Sequence, residues 1–71
     1  MTPALALSRE LDALTQEVRT CREDITFLQA ARAVNPQAAD RATEVRKARI
    51  LACEEAIQKI RLEALRMSTD R

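Results

Sequence analysis

Two apolar stripes mirror each other about one Asn-Pro step. Leu7, Leu11, Leu14, Val18, Cys21, Ile25 and Leu28 are spaced alternately by four and three residues, the rhythm that lines one seam of a coiled-coil-like α-helix. Ile50, Cys53, Ile57, Ile60, Ala64 and Met67 step by three and four in the complementary phase. Between the stripes, Asn35-Pro36 is the one break in a chain that has no glycine. A residue before proline is pushed out of the α region, and so short a connection makes the two helices antiparallel neighbours. With the turn centred between Asn35 and Pro36, facing residues have numbers that sum to 71. The seams obey this: Leu7 meets Ala64, Leu11 Ile60, Leu14 Ile57, Val18 Cys53, Cys21 Ile50, and Leu28 Thr43. The pattern predicts an all-α fold, an antiparallel two-helix hairpin that assembles further into a helical bundle.

The hairpin takes up residues 1–71 as a single unit. Its first helix is expected over about residues 3–34, with Thr2 as N-cap and Pro3 at the first helical position, Ser8 being the competing start. A tight turn follows at 35–36. Asn35 caps the second helix, which is expected over about residues 36–67 with 68–71 fraying, and Asp40 lies near its first turn, where the macrodipole favours an acid. One layer breaks the apolar rule. Ile25 faces Arg46, whose methylenes can lie over it while the guanidinium reaches water. Asp24 and Arg49 flank the seam and are expected to pair across it.

Seventy-one residues in two helices bury only one strip of each, and chains this small usually need a staple or a partner. Apolar residues left over from the seam point to a partner. Phe27, Ala31, Val34, Ala38, Ala42 and Val45 fall on one flank near the turn, and a weaker stripe on the second helix runs through Ala48, Leu51, Leu62 and Leu65, with Leu5 near its far end. Surplus apolar surface of this kind marks an interface. The candidate interface residues are Phe27, Ala31, Val34, Ala42, Val45, Leu51, Leu62 and Leu65.

The composition argues against catalysis. Histidine is absent, which removes the commonest general base and metal ligand, and two cysteines alone make no zinc site. A chain without glycine has no glycine-rich phosphate loop, and carboxylates such as Asp24 and Glu54-Glu55 read as solvated helix-surface charges. No cofactor, metal or small-molecule substrate is expected, and no enzyme. Cys21 and Cys53 fall in successive seam layers, an offset that does not favour a disulfide, so they read as small buried hydrophobes.

The net charge of +1 gives no general attraction to nucleic acid or anionic membrane. Arg22, Arg46, Lys47 and Arg49 do form a local basic cluster, in which Arg22 is expected to approach Lys47. They carry the alternative reading, a small hairpin dimer that contacts RNA or DNA phosphates. No apolar run approaches the roughly 20 residues of a membrane helix, so no membrane is expected and the cytoplasm is the default.

In architecture the chain looks like two groups of small bacterial proteins. One comprises plasmid-encoded helical hairpins that dimerise into four-helix bundles and bind RNA loops. The other comprises helical-hairpin co-chaperones of type III secretion, which also turn tightly at a proline. The likeness covers the hairpin shape, and no site residue carries over from it. The expected function is a non-enzymatic protein–protein interaction module, a small adaptor, chaperone or inhibitor. It would act by helix-on-helix docking, onto its own copy as a dimer or onto a larger protein.

Overall fold

The computed structural model describes the backbone of residues 3–69 and the side chains of residues 5–68. It is a hairpin of two helices, α1 (Pro3–Ala31) and α2 (Pro36–Thr69), packed along their lengths. The Thr2 cap lies outside the described residues. Helix α1 stops at Ala31, three residues short of Val34, and α2 continues to Thr69, two beyond Met67.

The early stop has a cause in the hydrogen bonds. Arg32 N–H still donates to Leu28 C=O at 3.1 Å, but Ala33 donates to Ala30 and Val34 to Ala31, one residue closer than an α-helix allows. The last turn thus tightens into 3₁₀ geometry, a common way to satisfy the end carbonyls of a helix. No described residue has positive φ. The reversal therefore needs no left-handed residue, and a chain without glycine can make it. On the far side, Ala38 N–H donates to Asn35 Oδ1 at 3.1 Å and Ala39 N–H donates to Asn35 C=O at 3.1 Å. Asn35 is the N-cap of α2, with Pro36 at its first position, where a missing N–H leaves nothing unsatisfied. Arg32 Nε reaches Asp40 Oδ1 at 2.8 Å across the turn.

All seven seam residues of α1 are buried or half-buried, as are Ile50, Cys53, Ile57 and Ile60 of α2. The register follows the sum of 71. Leu7 and Ala64, a facing pair by that rule, line one groove at the open end. Two cross-hairpin ion pairs on opposite flanks straddle the same value: Arg22 with Glu54 lies five above it, and Glu17 with Arg49 five below.

The seam differs from expectation at both ends of α2. Ala64 and Met67 are exposed, because the facing helix has little left to cover them, while Ala39, one step upstream of Thr43 in the same rhythm, is buried. Thr43 satisfies its hydroxyl by donating to Ala39 C=O at 2.8 Å. Among the described residues the buried apolar ones are Val18, Cys21, Ala39, Cys53 and Ile60, mostly small. The result is a long, thin molecule of 57 × 18 × 13 Å. Its radius of gyration of 16.3 Å compares with about 11 Å for a compact domain of this length.

Candidate functional site

The hairpin has two broad faces, and their chemistry differs. One carries an inter-helix groove lined by Glu17, Thr20, Asp24, Val45, Arg49 and Ala52 among others. The other carries a groove lined by Thr15, Val18, Arg19, Arg22, Glu23 and Thr26, with the Arg22–Glu54 pair beside it. Helical periodicity of seven residues explains the contrast. On α1 the position beside the first groove is filled in turn by Ala6, Ala13, Thr20 and Phe27, and on α2 by Ala38, Val45 and Ala52, followed by Lys59 and Arg66 towards the open end. Up to Ala52 none is charged, and all are exposed.

The eight residues expected at an interface divide between this face and the back of α2. Phe27 and Val45 stand on the first face with 73% and 58% of their surface exposed, Val34 is 90% exposed in the turn beyond α1, and Ala31 and Ala42 are half-buried. This is the turn half of the apolar face. Leu51, Leu62 and Leu65 are also exposed but lie on the outer side of α2, where charged neighbours interrupt them. Leu51 shares a shallow depression with Lys47, and Leu62 shares one with Lys59, Glu63 and Arg66. The first set gathers near the turn, beside the Asp24–Arg46 and Glu17–Arg49 pairs of the same groove, and the second is scattered along α2. The uncharged extension through Ala6, Ala13, Thr20 and Ala52 escapes a reading based on large side chains. Its signal is the absence of charge at every seventh position of α1, and of α2 as far as Ala52.

Each member of the basic cluster has an acidic partner. Arg46 Nε lies 3.0 Å from Asp24 Oδ2, Arg22 3.7 Å from Glu54, and Lys47 3.9 Å from Glu44 one turn away; Arg49 hydrogen-bonds Glu17. Two expectations are thereby corrected. Asp24 pairs with Arg46 rather than Arg49, because the seam position of Arg46 brings its guanidinium to the flank where Asp24 stands. Arg22 goes to Glu54 rather than towards Lys47, since opposite charges were within reach of both cations. Arg46 is half-buried and ends on a carboxylate.

The Glu17–Arg49 pair connects to the core. The Arg49 guanidinium holds the Glu17 carboxyl below its ordinary range, the Cys53 thiol donating to it lowers it further, and partial burial opposes both. The same pairing raises Arg49. Burial, then the Glu17 carboxylate, pushes the Cys53 thiol up. Cys21 and Cys53 are both free thiols in the seam. The Cys53 thiol, raised in this way, is protonated and unreactive rather than nucleophilic.

Among the described residues no group of three potential ligands is placed to hold a metal ion, and no helix is long and apolar enough to cross a membrane. No family model, curated protein or solved structure matches the chain.

Proposed function

We propose that this chain is a non-enzymatic interaction module that works by docking its apolar face onto other helices. The observation that carries the reading is the exposure of Phe27 and Val45 on one face, with Val34 exposed in the adjoining turn, beside a seam whose buried residues are mostly small. Large exposed side chains beside a seam in which Ile60 is the one large residue among those described as buried depart from the usual partition of a self-sufficient domain. Helix-in-groove recognition uses apolar anchors repeated at helical spacing, which is how these residues are arranged.

As a small adaptor, chaperone or inhibitor it would need no cofactor. The pairing of Arg22, Arg46, Lys47 and Arg49 with carboxylates favours this reading over phosphate binding, which needs uncommitted cations. Free thiols at Cys21 and Cys53 fit work in the reducing cytoplasm.

The test is a photo-crosslinking residue placed at Phe27 and, as control, at Glu23 on the charged side, each expressed in the source cell. An adduct from position 27 and none from position 23 is the expected result. If neither position gives an adduct, and the purified chain does not self-associate, the docking reading fails.

A further inference from the structure

We infer that the apolar face is covered by a second copy of this chain, in a two-fold dimer whose axis runs along the hairpin. Both turns then lie at the same end, and α1 of each copy packs antiparallel on α2 of the other. The inference rests on the docking reading and adds to it the occupant and its orientation.

Area comes first. The chain exposes 5823 Å², against about 4,450 Å² for a globular protein of 8.0 kDa. Its broad face measures 57 by 18 Å, while a stable interface takes about 800 Å² from each partner. One more hairpin of the same size covers that face from end to end. The alanines and Thr20 on it let two layers of helices approach to the short end of the usual 8–10 Å spacing.

Charge then selects the orientation. On this face α1 presents Glu10, Glu17 and Asp24, and α2 presents Arg49, Lys59, Glu63 and Arg66. Glu17 and Asp24 are already paired within the hairpin with Arg49 and Arg46, so the charges that choose between arrangements are Glu10 on α1 and Lys59 on α2. Two closed two-fold arrangements make every neighbouring helix pair antiparallel. With the axis across the hairpin, α1 lies on its own copy, so acid meets acid and the apolar turn half of one chain covers the charged open half of the other. With the axis along the hairpin, α1 lies on the partner's α2, so acid meets base and the two turn halves meet. Phe27 and Val45 of both copies then share one cluster. Among the described residues Glu10 and Lys59 have no ion-pair partner within the hairpin, and this arrangement brings Glu10 of each copy towards Lys59 of the other. Like charges opposed in an interface cost affinity and opposite ones fix register.

The test uses the native chain, which has only two lysines. An equal mixture of ¹⁴N and ¹⁵N protein is treated with a zero-length carbodiimide under reducing conditions, and the cross-linked peptides are read by mass spectrometry. Sedimentation equilibrium runs in parallel. The expected result is a dimer that gives a mixed-isotope Lys59–Glu10 link, weakened at least about tenfold by Phe27→Ser with Val45→Ser, roughly 1.4 kcal/mol. A dimer without that mixed link overturns the orientation and leaves the docking reading standing. A monomer up to about 1 mM, the concentration scale of the weakest specific contacts, overturns the second copy and leaves only a different partner. A dimer that the double variant does not weaken overturns both.

Discussion

Replacing Asn35 with alanine should cost about 1 kcal/mol, and the reasoning can be followed atom by atom. The substitution removes one interaction, the 3.1 Å bond from Ala38 N–H to Asn35 Oδ1. It leaves the backbone bond from Ala39 N–H to the residue 35 carbonyl in place. Because residue 35 precedes Pro36, any side chain there is held in the extended region that an N-cap requires. The comparison therefore isolates the side-chain oxygen from backbone preference. Loss of such a cap costs about 0.5–2 kcal/mol, and each kcal/mol moves the melting temperature of a domain this size by about 4–8 °C. Thermal unfolding followed by circular dichroism, at one fixed protein concentration, should show Asn35→Ala lower by about 4–8 °C. Asn35→Asp should stay within a few degrees of the native chain at pH 7, since the carboxylate accepts the same bond and favours the helix dipole. If alanine shifts the midpoint by less than about 1 °C, or if aspartate does no better than alanine, the cap is not what starts α2, and the 0.5–2 kcal/mol assigned to it is wrong.

Glu17 has a lowered pKa in the folded chain, so its contribution is present above the ordinary value near 4.5 and is lost as pH falls through the lowered one. Glu17→Gln should flatten the melting temperature against pH in that acid window and leave the profile above pH 7 parallel to that of the native chain; an unchanged acid limb would count against the pair. Cys53, raised above 9.0 by burial, should react with a thiol reagent at pH 8 only as fast as the hairpin opens. A labelling rate equal to that of the unfolded chain would show the seam open there. Ile60→Ala in the buried stretch should cost about 2–5 kcal/mol, enough to abolish most of the helical signal of so small a fold. Met67→Ala, at a site 43% exposed, should cost less than about 1 kcal/mol. Equal effects of the two would mean that the seam is packed evenly to its end.

The hairpin was legible because two independent signals agreed: the phase of the two stripes and the restriction that Pro36 places on Asn35. Other features were less so. The end of α1 was placed late because the proline rule excludes only Asn35, whereas reversing the chain takes all of residues 32–35. Ala39 was missed because alanine suits a surface helix as well as a core, and only its spacing from Thr43 marks it. The ion pairs were read partly wrongly, since long side chains such as Arg46 and Arg22 reach several carboxylates and the seam register does not choose among them. Large apolar side chains such as Phe27 stand out in the sequence one by one. The uncharged positions that continue their face carry no such signal one residue at a time.

The four-residue reversal also shapes how the molecule comes together. Loop closure there is short and its entropic cost small, so pairing can begin at Leu28 and Thr43 and proceed layer by layer like a zip. Each further layer joins residues more distant along the chain, and the last ones meet Ala64 and Met67, which are exposed. Amide hydrogen exchange should record this as a gradient, slowest around Val18 and Cys53 and fastest towards the open end. A cut in the 32–35 connection would turn the first, easy step into an encounter between two separate helices, each holding half of a seam.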